Sequence, residues 1–199
     1  MNCLAILVNG FEDSEAITTI DVLRRAKIDV DAVTVYPERG VKSAHGFKVE
    51  ANKTLKEVDY TSYDILLLPG GPAVFKELHQ LEVISLIILD YAKKNKIIAS
   101  ICAAPSLVGK LGLFEGKKYT CFPGCDTPIT KGTNTGKEVV VDGNYITARS
   151  MYYSADFAIA IIEKALGGAK AKEIKNQIMY LTFDISSVFL IIGMNRSVS

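Results

Sequence analysis

Histidine is scarce in this chain, charge never gathers into a run of one sign, and no apolar stretch is long. Each shortage removes a class of function. Lys plus Arg number 23 against 22 for Asp plus Glu, a net charge of +1. With no lysine-rich arm, a dedicated nucleic-acid surface is not expected; acidic tails are missing as well. No apolar run reaches the roughly 18 to 20 residues that span a bilayer; the late stretch Val188 to Gly193 is far shorter, and no membrane partner is expected. Met1-Asn2-Cys3-Leu4-Ala5-Ile6-Leu7-Val8 lacks a basic n-region and a small-residue cleavage site. It reads as a buried strand, not a signal peptide, and a cytoplasmic protein is expected. The four cysteines are Cys3, Cys102, Cys121 and Cys125. Cys121-Phe-Pro-Gly-Cys125 could frame a metal or disulfide pair, but a tetrahedral metal needs two further close ligands, and His45 and His79 are the only imidazoles. No metal is expected, and in a reducing cytosol these are free thiols.

What is present is an ordinary globular composition, 49% hydrophobic and 23% charged over 199 residues, the size of one domain with one sizeable core. Leu4 to Val8 is a continuous apolar run ending at Asn9-Gly10, which predicts a strand buried on both faces. Glu12-Asp-Ser-Glu15 opens a helix, with Ser14 as N-cap and acids in the first turn; Ile17, Ile20, Leu23 and Arg24 follow at helical spacing. Further strands are expected at Ile28 to Val35, Lys48 to Ala51 (polar and peripheral), Tyr63 to Leu68, Lys96 to Ile101, Lys118 to Phe122 and Glu138 to Val141. Asp142-Gly-Asn144 reads as a hairpin turn before Tyr145 to Ala148. Helices are expected at Glu82 to Lys94, Ala103 to Leu111, Ser154 to Leu166 (closed by Gly167-Gly168) and Lys170 to Met179. Strands alternating with crossover helices imply an α/β sandwich, a mainly parallel sheet with helices on both faces. Residues 1–180 read as one domain. Residues 181–199, with the apolar Val188 to Ile192, read as an extension of unknown role.

In such a sheet, ligands bind beyond the carboxyl ends of the strands. Three loops there carry suggestive residues: Gly10 to Glu15, Pro69 to Pro72, and Cys102. Cys102 has small residues two positions before and after it, Ser100 and Ala104. That is the steric requirement of a tight strand–nucleophile–helix elbow. Pro105 suits the first helical turn, and a thiol at a helix N-terminus is expected to favour thiolate; the competing reading is an inert buried cysteine. Gly70-Gly71 can turn backbone N–H groups toward a ligand, as an oxyanion site requires, or can be a plain turn. Glu15 should project over the same crevice. A carboxyl buried near a thiol has a raised pKa and can donate to the sulfur or act as general acid and base. Glu12 and Asp13 are the nearby alternatives, better suited as helix N-terminal charges. His79 reads as a solvated residue.

Gly10-Phe-Glu-Asp-Ser-Glu-Ala16, Asp21-Val-Leu-Arg-Arg-Ala26, Tyr63-Asp-Ile-Leu-Leu-Leu-Pro-Gly-Gly71, Ala99-Ser-Ile-Cys-Ala-Ala-Pro105 and Ala155-Asp-Phe-Ala-Ile-Ala160 resemble the DJ-1/ThiJ/PfpI superfamily, and within it the branch of DJ-1 and the bacterial ThiJ-like protein deglycases. The resemblance covers about residues 3 to 180. It implies a flavodoxin-like three-layer sandwich, a homodimer and an oxidation-sensitive cysteine matched by Cys102. It places the family's acid on Glu15, the last acid of its run, and backbone N–H donors on Gly70, Gly71 and Ala103. His45 falls where relatives carry an arginine that approaches the cysteine pocket across the dimer interface; a surface histidine without a role is the alternative. The chain departs from relatives at three places. Ala103 stands where the peptidase-like branch has histidine after the cysteine. Phe122 stands where some relatives have a histidine before the proline. Ser150-Met-Tyr-Tyr-Ser154 replaces a Gly-Pro-Gly-rich turn.

The resemblance therefore implies a cysteine-dependent, cofactor-free deglycase or glyoxalase acting on methylglyoxal, glyoxal and their adducts: small reactive carbonyls or glycated groups. A redox-sensing stress protein or chaperone working through Cys102 oxidation is the second reading. A thiol peptidase is the third.

Overall fold

The computed structural model describes residues 1–179. The expected extension 181–199, with its apolar Val188 to Ile192, lies outside the described residues. β1 (Asn2–Leu7) is apolar without alternation because both of its faces are covered: Cys3, Ala5 and Leu7 enter one core, Leu4 and Ile6 the other. It is followed by α1 (Asp13–Arg25), β2 (Asp29–Thr34), the hairpin β3 (Gly40–Lys42) and β4 (Lys48–Glu50), the short β5 (Lys53–Thr54) and β6 (Ile65–Leu68). Then come the single-turn α2 (Ala73–Lys76), α3 (Glu82–Lys93), β7 (Ile97–Ile101) and the single-turn α4 (Pro105–Gly109). The described chain ends with β8 (Lys118–Tyr119), β9 (Thr133–Asn134), β10 (Val139–Asp142), β11 (Tyr145–Ala148), α5 (Ser154–Leu166) and α6 (Gly168–Ile178).

Seven strands form the main sheet in the order β10-β11-β7-β6-β1-β2-β5. Every pairing is parallel except β10 with β11. One core is closed by α1, α5 and α6 through Ala16, Ile20, Leu23, Phe157, Ile161 and Ile174. The other is closed by α3 and α4 through Ile84, Ile87, Ile88, Tyr91, Leu107 and Val108. From β1 the chain builds outward through β2 on one side, then crosses to β6 and β7 on the other. The loops after β1 and β6 therefore part, and the crevice between them opens at the carboxyl ends of the strands.

Two local expectations are corrected. The N-cap of α1 is Glu12, not Ser14: the Glu15 N–H donates to Glu12 Oε2 at 2.7 Å, and a carboxylate there also meets the positive end of the helix. The strand expected over Lys118 to Phe122 is confined to Lys118–Tyr119, which pairs with β9 outside the main sheet. The Phe122 amide is instead drawn to the Cys102 carbonyl, 2.8 Å away, and Pro123 follows without a donor. Among the described residues no helix is long and apolar enough to cross a membrane.

Candidate active site

Cys102 leaves β7 with φ +63°, left-handed backbone that a side chain rarely adopts. Such a conformation costs on the order of 1–3 kcal/mol and persists only where neighbours enforce it. Here its N–H donates to Ala148 O at 2.9 Å, its carbonyl accepts from Phe122 N at 2.8 Å, and Ala104 N donates to Ile101 O at 3.0 Å. Ser100 and Ala104, the small flanking residues, are both buried; larger side chains would not fit the turn.

His79 also supports the elbow, from behind. Ser106 Oγ donates to Ala103 O at 2.6 Å, and His79 Nε2 lies 2.8 Å from Ser106 Oγ. The single hydroxyl proton goes to the carbonyl, so the imidazole is the donor of the second bond. His79, expected as a solvated residue, is therefore a supporting group, stacked on Phe75 at 5.0 Å. No local pattern announces this role, because the partner is 27 positions away.

Glu15 sits in the first turn of α1 with no solvent exposure. Its Oε2 accepts the Gly70 N–H at 2.8 Å, and its Oε1 is buried without a partner in full hydrogen-bond geometry. Gly70 is what lets acid and cysteine meet. A Cβ at that position would lie 2.7 Å from Glu15 Oε2, 2.8 Å from the Cys102 Cβ and 2.9 Å from Ile101 O. The Gly70 amide, expected to face a ligand, is engaged by Glu15. Gly71, with φ +96°, packs against the backbone of Gly10 and Glu12, where a Cβ would come within 2.6 Å. The Ala103 N–H approaches the Cys102 sulfur and favours its charged form.

The electrostatics follow from this burial. Desolvation pushes the Glu15 carboxyl up to about 7, against the lowering pull of Cys102 and of the Gly70 amide. Desolvation, and then the Glu15 charge beside it, pushes the Cys102 thiol up. The expected lowering by a helix dipole does not prevail, because α4 has only five residues and starts beyond Ala104. The two groups titrate as a pair. While Glu15 is ionised, the sulfur keeps its proton; once Glu15 takes it, a neutral carboxyl faces a thiolate.

His45 lies at the tip of the β3–β4 hairpin, largely exposed, with Nδ1 2.8 Å from Asp13 Oδ2; this contact raises its pKa. Within its own chain it is tied to the start of α1 rather than to Cys102. Glu12, Asp13 and His45 place ligand atoms within 4.8 Å of one another, the nearest grouping of cation donors among the described residues. Two surface hollows adjoin this hairpin. One, of about 760 Å³, is lined by residues from Pro37 to Glu57. The other, of about 470 Å³, lies between Phe11, Ile17 and Phe47. Phe122 is exposed beside the elbow. In the segment after β11, Ser154 Oγ donates to Met151 O at 2.7 Å and Tyr152 projects into solvent.

A strained cysteine at the carboxyl end of a doubly wound parallel sheet, facing a buried carboxyl from the first helix, marks a flavodoxin-like protein organised around one thiol. Residues 1–164 match the DJ-1/PfpI family, and the chain belongs to that family. It is 36% identical over 172 residues to protein DJ-1 homolog B of Arabidopsis thaliana, covering 86% of this chain and 39% of that one. The chain thus spans about two fifths of the length of that relative. It is 33% identical over 152 residues to a Pyrococcus horikoshii protein named a deglycase, covering 75% of this chain and 90% of that one. A DJ-1 superfamily protein of Salmonella typhimurium superposes with a TM-score of 0.82 at 31% identity, covering 90% and 97% of the two chains. Drosophila melanogaster DJ-1beta superposes at 0.84 with 29% identity, covering 89% and 97%. Family membership and the deglycase-named relative support a DJ-1-type function.

Proposed function

We propose that this protein is a cofactor-free enzyme that detoxifies small reactive carbonyls, methylglyoxal and glyoxal or their adducts, in the manner of a protein deglycase or glyoxalase. The observation that carries the reading is the fully buried Glu15 carboxyl, poised near neutrality, facing the strained Cys102 thiol. As the sulfur adds to the aldehyde carbon, its proton passes to Glu15 and the carbonyl electrons move to oxygen; Glu15 hands that proton on to the oxygen, giving a hemithioacetal and a carboxylate again. From methylglyoxal, Glu15 then removes the proton on that carbon. Reprotonation of the neighbouring carbon leaves a thioester. Water cleaves the thioester to lactate, and the thiol regains its proton. The Ala103 amide adjoins the sulfur; the Gly70 amide acts through Glu15, and Gly71 holds the turn against Gly10 and Glu12.

The homodimer belongs to this proposal. An apolar groove runs between α1 and the β3–β4 hairpin, where Ile17 is 49% and Phe47 68% exposed. A second copy would cover it and bring His45 toward the neighbouring pocket. A cytoplasmic setting fits the four free thiols.

The test is turnover of methylglyoxal and glyoxal by the purified protein. Cys102→Ala should lose activity to background and Glu15→Gln most of it; activity near that of wild type in either variant overturns the reading. A redox-sensing role, with chaperone behaviour as its output, is the second reading. It rests on the partly exposed Cys102 beside an acid able to donate to an oxidised sulfur. Mass spectrometry after mild peroxide tests it: two oxygens added selectively at Cys102 support a sensor, and equal oxidation of Cys121 and Cys125 counts against one. A thiol peptidase ranks third: His79 bonds Ser106 and His45 bonds Asp13, so neither imidazole serves the sulfur.

A further inference from the structure

The segment Cys121 to Cys125 is more than a loop that happens to contain two thiols. Phe122 N–H donates to the Cys102 carbonyl at 2.8 Å, which lays this segment against the elbow. The chain then reverses. Cys125 N–H donates back to Phe122 O at 3.0 Å, with Pro123 and Gly124 (φ +82°) between them. Proline followed by a residue of positive φ is the pattern of a type II turn, which brings its first and last Cα atoms within about 7 Å. Nothing lies within 4 Å of a Cβ at Gly124, so the glycine serves the turn's backbone and not a close approach. The turn folds Cys125 back over the residue bonded to Cys102. Both of these sulfurs belong to partly exposed residues, whereas Cys3 and Cys121 are buried. Cys121 faces the core and meets Asn134 Nδ2 at 3.8 Å. A charge on Cys125 is felt by both Cys102 and, in turn, a charge on Glu15 by Cys125. Phe122, Pro123 and Gly124 are exposed, while Cys125 packs against the edge of the second core and Cys121 lies inside it.

We infer that Cys125 is a resolving thiol for Cys102, closing a reversible disulfide when the active-site cysteine is oxidised by a peroxide. The Cys102 thiolate attacks a peroxide oxygen, breaking the O–O bond, to give Cys102 sulfenic acid and release hydroxide from hydrogen peroxide. The Cys125 sulfur then attacks the sulfenic sulfur; an S–S bond forms, and hydroxide leaves with the Cys125 proton as water. A dithiol reductant reverses the bridge, while sulfinic acid at Cys102 is not recovered by thiols. The bridge thus preserves a site that further oxidation would destroy. The inference rests on the reactive Cys102 of the proposed function.

The experiment treats the purified protein with a few molar equivalents of hydrogen peroxide, blocks free thiols and digests it with trypsin without reduction. Cleavage after Lys96, Lys110, Lys118 and Lys131 puts Cys102 on one peptide and Cys121 with Cys125 on another. Wild type and Cys121→Ser should yield the cross-linked pair, two hydrogens lighter than the separate peptides. Cys125→Ser should lose it and carry two added oxygens at Cys102. A dithiol should then restore peroxide-treated wild type but not Cys125→Ser. Cys102 sulfinate without a cross-link in wild type overturns the inference alone, as does a cross-link that persists in Cys125→Ser or one between Cys121 and Cys125. A Cys102 that peroxide leaves unmodified overturns both this inference and the reactive-thiol reading.

Discussion

Two carboxylates, one on a strand and one on the helix that follows its neighbour, illustrate how differently one chemical group can be housed. Asp31, on β2, is pulled upward by partial burial, but Lys53 Nζ at 2.8 Å and the Tyr63 hydroxyl at 2.6 Å both donate to its Oδ2 and hold it below the usual range. Glu15 is more deeply buried, with one amide donor and no cation, and rises to about 7. Asp31 is a satisfied structural charge. Glu15 is a deprived one, kept near neutrality where a proton can be given or taken at little cost in driving force. Depriving a buried acid of partners destabilises its charged form, and in the proposed reaction that form is the one that accepts the thiol proton.

Glu15→Gln should produce the largest departure, since it keeps an acceptor for Gly70 but cannot carry a proton. Turnover should fall by about 10²–10⁴-fold, the range for a positioned general acid–base. Stability should move the other way. A carboxyl whose folded pKa lies above its unfolded one, about 7 against 4.5, costs nothing while both states are protonated. Its penalty grows as pH rises from about 4.5 to 7 and is complete above that. The variant should therefore gain up to about 3 kcal/mol over wild type at pH 8, and much less at pH 5, by denaturant melts. Equal stability at both pH values would place Glu15 among ordinary satisfied acids such as Asp31.

Gly70→Ala should be the next largest effect. The added methyl meets Glu15 Oε2, the Cys102 Cβ and Ile101 O all within 3 Å, and the last two, held by the backbone, cannot swing aside. A loss of about 1–3 kcal/mol is expected, together with loss of methylglyoxal turnover as the acid and the thiol are pushed apart. Unchanged turnover would show that the acid and thiol need not touch.

Much of this was legible in the sequence. The apolar run of β1, the elbow flanks Ser100 and Ala104, and the Pro-Gly-Gly after β6 are local patterns, and they place Cys102, Glu15 and Gly70 at one end of the sheet. What was not legible was competition between partners. That the Gly70 amide would be taken by Glu15, or that Glu12 rather than Ser14 would cap α1, depends on which acceptor lies nearer once the chain has packed. The sign of the Cys102 shift depends on a dipole too short to offset desolvation, and helix length after a proline is poorly encoded locally. His79 escaped because Ser106 reaches it only through tertiary packing.

The smallest effect is the one that tests the other half of the comparison. Asp31→Asn keeps an oxygen to accept from Tyr63 but loses the charge that Lys53 faces. Because Lys53 is substantially exposed, the ion pair is screened, and a cost of about 1 kcal/mol at pH 7 is expected. The pH dependence distinguishes it from Glu15. A carboxyl whose folded pKa is depressed stabilises the fold above its unfolded pKa and loses that contribution as pH falls through the folded one. The gap between wild type and Asp31→Asn should stay constant from pH 8 to pH 6 and close below about pH 4, where the wild-type carboxyl also becomes neutral. The gap for Glu15→Gln has the opposite sign and opens between pH 5 and pH 8. Carbonyl turnover by Asp31→Asn should match wild type, because Asp31 touches neither the sulfur nor its acid. A gap that instead widens toward acid would mean that Lys53 and Tyr63 do not hold Asp31 in its charged form, and the contrast between the two acids would collapse.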